Sequence, residues 1–228
     1  MEQITHLTEE DVFVESLGQP KIETPVRCFT IQNQETGQFP CRNFISEGDR
    51  ILVDISEKNF MDHLKKGDLP LSFEKAGPRQ KIFFDPKKVK CAIVTAGGLC
   101  PGLNDVIRSI VLELNYIYGV HNIIGIPYGY QGFIPQYGHS VIDLTPERVS
   151  YIHELGGTIL SSSRGQFKTE EIVDTLQQLN INILFTIGGD GTLRGAQGIS
   201  QEIKKRGLIS SVIGIPKTID NDIPLVEK

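Results

Sequence analysis

Two short stretches and three loops hold the residues with the means to do chemistry. "GGDGT" (Gly188–Thr192) bares the backbone at Gly188, Gly189 and Gly191 and sets one carboxylate, Asp190, among them. Glycines let a main chain approach a phosphate closely. A carboxylate inside such a cradle makes sense when a Mg2+ bridges it to the phosphate; the plainer alternative has Asp190 capping the next helix. "PKTIDND" (Pro216–Asp222) packs Lys217, Thr218, Asp220 and Asp222 into seven residues. Its Lys-Thr pair resembles the end of a P-loop, but Pro216 stands where that motif needs glycine. Two close carboxylates can divide base and metal-support duties, and the alternative is a hydrated Asx turn after a strand. "TAGGLCPGLN" (Thr95–Asn104) joins a strand to a helix whose free N–H groups suit an anion, or it is simply a tight connection. Arg164 lies in the Ser/Gly-rich loop of "GGTILSSSRGQF", after a helix and a short strand. Its guanidinium fork either grips phosphate oxygens or stays in water. Tyr130 in "YGYQGF" flanks a base or caps the core. His6, His63, His121, His139 and His153 show no metal-ligand spacing.

These residues need elements to position them. The chain has 228 residues, 39% hydrophobic and 22% charged, enough for one large packed domain or two small ones. The formal net charge of -5 argues against a dedicated nucleic-acid or anionic-membrane surface. Bound phosphates must then be held by local amides and a few cations. Cys28, Cys41, Cys91 and Cys100 form no CxxC pair, and no apolar run is long enough to span a bilayer. Reduced thiols and a cytoplasmic location are expected. From Val89 onward short apolar runs alternate with helical patterns. Strands are expected at Cys91–Thr95, Asn122–Pro127, Ile181–Ile187 and Ser211–Pro216. Helices are expected from an Asn104 cap, over Thr145–Gly157, over Glu170–Asn180 and over Thr192–Arg206. The pattern predicts an α/β fold, a Rossmann-like parallel sheet with helices on both faces, with ligands beyond the C-terminal strand ends. Residues 1–88 lack this rhythm. They offer a strand at Arg50–Ile55, a helical turn or two in "NFMDHLKKG" and a connector at Ala76–Lys88, and read as an N-terminal extension on the 89–228 domain.

Taken in order, "GGLCPGLN", "GYQGF", "GGTILSSSRG", "GGDGT" and "PKTIDND" resemble the 6-phosphofructokinase family. The likeness covers essentially 89–228. Residues 1–88 look like the extension of its longer ATP-dependent forms, known from plants, trypanosomatids and some bacteria. The resemblance implies glycolytic phosphorylation of fructose 6-phosphate by Mg-ATP, allosteric control and an intact enzyme that is a dimer or tetramer. It implies that Gly98 and Tyr130 line the ATP site, that Arg164 and Gly165 meet the nucleotide phosphates, and that Gly189, Asp190, Gly191 and Thr192 form the ATP loop with Asp190 on Mg2+. Thr218, Ile219 and Asp220 would contact the sugar phosphate. Asp220 would take the proton from the 1-hydroxyl, with Asp222 and Lys217 supporting the transferring group. Leu99 departs from the short ATP users, which carry an aspartate there.

Two positions bear on the donor. Pyrophosphate users of the family place aspartate where Gly191 stands and lysine where Lys217 stands, while short ATP users have glycine at both. Gly191 with Lys217 is the mixed pattern of the long ATP-dependent group. A carboxylate at 191 would crowd and repel a nucleotide α-phosphate, so ATP is the expected donor and pyrophosphate the alternative. The family's sugar-binding half should follow Lys228, so the chain reads as an N-terminal portion with little activity alone, or as a non-catalytic nucleotide-binding fragment. A different GGDG kinase, acting on NAD or diacylglycerol, would carry an Asn-Asp-Glu-like motif instead of "PKTIDND".

Overall fold

The computed structural model describes residues 7–26, 44–165 and 167–221. The chain forms two compact units that meet in sequence between Phe83 and Phe84. In the first unit, β1 (Ile22–Glu23) pairs antiparallel with β4 (Lys81–Ile82), and β2 (Arg50–Leu52) pairs antiparallel with β3 (Ser72–Glu74). β2 is shorter than the expected Arg50–Ile55. The helix between them, α1 (Glu57–Lys66), is longer than expected and stops at Gly67, whose left-handed φ of 77° lets its N–H reach back to the His63 and Leu64 carbonyls. The Arg79 guanidinium holds this unit's turns together by donating to the carbonyls of Ser46, at 2.7 Å, and Lys75, at 3.1 Å, and to the Glu74 carboxylate.

The second unit is built on β5 (Cys91–Ala96), β6 (Ile123–Ile126), β7 (Ile142–Asp143), β8 (Ile183–Gly188) and β9 (Ser211–Pro216), in the spatial order β7-β6-β5-β8-β9. All six residues of β5 are buried. Its side chains alternate between two cores, as a central strand covered on both faces must. Cys91 and Ile93 face Ile107 and Val111 of α2 (Leu103–Leu112) and Val149 of α3 (Pro146–Val149). Ala92 and Val94 face Ile172, Val173 and Leu176 of α4 (Thr169–Gln178) and Ile199 and Ile203 of α5 (Asp190–Lys205). The four expected strands are present and parallel to one another. The sheet is nevertheless mixed, because the unexpected β7 joins its edge antiparallel to β6. Two residues are too few to show a period in sequence. None of the helices among the described residues is long and apolar enough to cross a membrane.

Three local expectations are corrected. Asn104 does not cap α2. Gly102 does, at φ 90°, and the helix runs on through a single π-helical turn, Glu113–Ile117. Asn104 is buried instead, donating to the Leu155 carbonyl at 3.0 Å and accepting from the Ile159 N–H at 2.9 Å. The helix expected over Thr145–Gly157 starts as predicted, with the Thr145 hydroxyl accepting from the Arg148 N–H and proline at the first position, but α3 ends at Val149 and only a 3-10 turn, Ile152–Glu154, follows. Val149 and Ile152 both bury in the α2 core, and Leu155 then turns extended, so its carbonyl reaches Asn104. Packing overrides propensity here. The short strand expected before Arg164 is a turn, closed by the Ser161 N–H on the Thr158 carbonyl, with Ser161 at φ 56°.

If Asn104 is a buried anchor rather than a cap, serine cannot replace it. Asn104→Ser and Asn104→Ala should each lower unfolding stability by about 1–2 kcal/mol in denaturant titrations, since both remove the amide that pairs the Leu155 carbonyl and the Ile159 N–H. A serine variant as stable as the parent would restore the capping role.

Candidate functional site

The sheet register explains why motifs far apart in sequence meet. Ala96 of β5 lies opposite Gly188 of β8, and Gly188 lies opposite Pro216 of β9. Three strands therefore end level, and each opens into a stretch singled out by composition: Gly97-Gly98, Gly189-Asp190 and Lys217. The ends are tied as well as aligned. The Lys217 N–H donates to the Gly188 carbonyl at 2.9 Å. The buried Thr192 hydroxyl donates to the Ala96 carbonyl at 3.1 Å. Gly188 has no room for a side chain, since a Cβ there would sit 2.3 Å from the Thr192 hydroxyl and 2.5 Å from the Ala96 carbonyl oxygen.

A fourth loop is lashed to these ends by hydroxyls. Thr95 donates to the Ser161 carbonyl at 3.0 Å, Ser162 to the Gly97 carbonyl at 2.6 Å and Ser163 to the Tyr128 carbonyl at 2.6 Å. Their effect is to aim the next residue, Arg164. Its guanidinium Nη2 lies 3.6 Å, and the Lys217 Nζ 3.7 Å, from where a Cβ on Gly98 would stand. Lys217 Nζ is also 3.8 Å from the corresponding point on Gly189. Two cations thus stand beside bare backbone in the lining of a cleft of about 460 Å³.

Gly98, Arg164, Gly165, Gly189, Asp190, Gly191, Thr192, Lys217 and Tyr130 all line this cleft. Tyr130 does so as a brace. Its hydroxyl donates to the Thr192 carbonyl at 2.7 Å and its ring lies where a Cβ on Gly195 would stand. Burial pushes the phenol well above its ordinary pKa, so it stays a neutral donor. Asp190 is the first residue of α5 and not its cap; Gly189 holds the cap position, without a side-chain bond. The Asp190 carboxylate is instead bonded to the guanidinium of Arg194, one turn on. Thr218, Ile219 and Asp220 are not among the cleft residues, and Ile219 and Asp220 are exposed. Asp222 lies outside the described residues, as do Cys28, Cys41 and His6. Cys91 and Cys100 are free thiols, and burial pushes Cys91 up to about 12.

Among the described residues no group of three His, Cys, Asp or Glu side chains could hold a metal. The cleft offers one exposed carboxylate, Asp190, and the exposed Leu99 adds no oxygen. That donor set fits Mg2+, which is commonly held by one or two carboxylates together with substrate phosphates and water. Sequence reasoning missed Arg194, Phe167 and Ser163 in the cleft wall. The helix expected over Thr192–Arg206 starts two residues earlier, at Asp190, and this extension is what makes Asp190 and Arg194 an i,i+4 pair.

Residues 90–228 match the model of the phosphofructokinase family. The chain is 47% identical over 220 residues to an ATP-dependent 6-phosphofructokinase of Borreliella burgdorferi, covering 96% of this chain and 47% of that protein. It is 42% identical over 228 residues to a chloroplastic ATP-dependent 6-phosphofructokinase of Arabidopsis thaliana, covering 100% of this chain and 39% of that protein. The chain therefore spans less than half the length of these relatives. Among solved structures it resembles a pyrophosphate-dependent phosphofructokinase from Marinobacter aquaeolei, with a TM-score of 0.54 at 20% identity over 60% of this chain and 35% of that one. It also resembles Pichia pastoris phosphofructokinase, with a TM-score of 0.53 at 20% identity over 83% and 23%. At that identity the likeness speaks for the fold. The level strand ends, the cationic cleft and the family match agree, and the chain belongs to the phosphofructokinase family.

Proposed function

We propose that this chain carries the nucleotide-binding part of an ATP-dependent 6-phosphofructokinase, which moves the γ-phosphoryl group of ATP to the 1-hydroxyl of fructose 6-phosphate in the cytoplasm. Arg164 and Lys217, both close to Gly98, bind phosphoryl oxygens. The free N–H groups of the first turn of α5 face the same anion. Mg2+ bound with the nucleotide neutralises phosphate charge, and Asp190 is the residue that would hold it. In this reading Asp220 takes the 1-hydroxyl proton, Asp222 supports the transferring group, and Thr218 and Ile219 touch the sugar phosphate. The intact enzyme works as a dimer or tetramer. Catalysis of this kind rests on positioning and charge neutralisation more than on covalent chemistry.

The choice of donor rests on Gly191. It sits in the first turn of α5, and a Cβ there would meet nothing within 4 Å. Its φ is not in the left-handed range. The protein itself has no need of glycine at this point, and glycine in a helix costs roughly 0.5–1 kcal/mol relative to alanine. The reason for it then lies with the ligand. A side chain at 191 would project into the space a nucleotide needs, and the names of the relatives match this donor.

Titration calorimetry on the 228-residue chain should show Mg-ATP binding more tightly than Mg-pyrophosphate. The reverse order would reject ATP as donor. Gly191→Asp should weaken Mg-ATP binding about tenfold or more, because a carboxylate near phosphate oxygens repels them at short range. The same variant should keep or slightly raise the thermal midpoint, since an acid in the first helical turn favours the helix. Undiminished ATP affinity in a folded Gly191→Asp chain would remove Gly191 from the argument.

A further inference from the structure

The cleft contains one cation, Arg194, to which the proposed chemistry gives no part. Arg194 and Asp190 stand four apart on α5, both facing the cleft, and their side chains are joined by a direct hydrogen bond. The pair is solvent-accessible, with the side chains 78% and 66% exposed. Exposed i,i+4 pairs of this kind contribute little to folding. Nor does α5 need the pair for its shape: the helix is fixed by Ala196, Ile199 and Ile203 in the core and by the Thr192 hydroxyl on β5. What the pair changes is the electrostatics of the cleft. Its wall carries three cations, Arg164, Arg194 and Lys217, against one carboxylate. Among the described residues Arg164 and Lys217 form no ion pair with a carboxylate and remain available to an incoming anion, whereas Arg194 is committed to Asp190.

We infer that Arg194 is a positioning residue, a built-in counter-charge that keeps Asp190 neutralised and so lets the cleft accept a polyphosphate in the absence of a divalent cation. This rests on the nucleotide-binding reading above and deepens it. An unpaired carboxylate facing a nucleoside triphosphate would repel it, and at the N-terminal end of α5 it would also offset the helix's attraction for the anion. With Arg194 in place that repulsion is cancelled before any ligand arrives. When a divalent cation accompanies the nucleotide, Asp190 has a second source of positive charge, and Arg194 matters much less. Arg194 therefore sets how strongly nucleotide binding depends on the cation, and differs in this from Arg164 and Lys217, whose contribution is to the phosphates under either condition.

The test is a pair of calorimetric titrations of the 228-residue chain, with ATP in EDTA and with ATP in excess Mg2+. Arg194→Met keeps the length and helix preference of the side chain and removes the charge. It should weaken ATP binding in EDTA about tenfold, the size of one partly screened charge pair, and Mg-ATP binding about twofold or less. In an Asp190→Asn background the same change should have little effect in EDTA, because the carboxylate to be neutralised is gone. Equal losses in EDTA and in Mg2+ would make Arg194 an ordinary phosphate ligand and overturn the inference, as would no loss in either. If the unaltered chain bound ATP under neither condition, the nucleotide reading would fall together with it, an outcome distinct from failure of Arg194 alone.

Discussion

The site depends on the contact between the ends of β5 and β8 and the first turn of α5. Gly188 has no space for a Cβ because the Thr192 hydroxyl and the Ala96 carbonyl occupy it, and those two groups are themselves hydrogen-bonded at 3.1 Å. The bond is buried, so neither partner has water as an alternative, and losing one would leave the other unsatisfied. It therefore fixes the height of α5 above the sheet. Asp190 and Gly191 are in that same turn, and Lys217 is held to Gly188 through its own N–H. A side chain at 188 would lift the helix away from β5 and separate the two walls of the cleft. Packing at one point thus controls the spacing of groups that never touch each other.

Hydroxyl groups play the corresponding part on the other wall. "SSSRG" looks in sequence like a flexible polar linker, and a solvated Arg164 is a fair reading of it. In the folded chain the Ser162 and Ser163 hydroxyls each close a 2.6 Å bond on a carbonyl of another loop, and the Ser161 carbonyl accepts from Thr95. Ser161 and Tyr128 hold left-handed backbone conformations at φ 56° and 58°, uncommon for residues with a side chain. Such conformations persist where the surroundings over-determine them, and these bonds supply that determination. The result is an arginine delivered to Gly98 by a stiff support.

This contrast shows what was legible in the sequence. Apolar runs over Cys91–Ala96 and Ile183–Gly188 announced the central strands, because a strand buried on both faces has no other way to be written. The glycines after them announced a close approach to something. Features set by partners distant in sequence were not legible. Asn104 sat in a plausible capping position, yet its amide serves Leu155 and Ile159, more than fifty residues on. The Thr145–Gly157 pattern had a good start and a glycine stop, and the core under α2 still cut the helix to one turn. Arg194 carried no mark in the sequence, because a charged residue on a helix usually faces water. Only the placement of α5 above β5 shows that this face belongs to the cleft.

The acidic balance of the whole chain and the cationic cleft are consistent with each other. With a formal net charge of -5 the bulk of the molecule does not attract polyanions, so an anion site must be made locally from backbone and a few well-held cations. Within that site the glycines answer to different masters. Gly188 is demanded by the protein, since any Cβ collides with its own neighbours, and the demand would remain if no ligand were ever bound. Gly191 is demanded by nothing in the protein, since a Cβ there would stand in open space. One motif therefore combines, three residues apart, a glycine that the fold requires and a glycine that it does not. A change at the first position alters the geometry of every group in the cleft. A change at the second meets no neighbouring atom and leaves that geometry intact, so under the proposed reading donor choice is separable from the architecture that supports it.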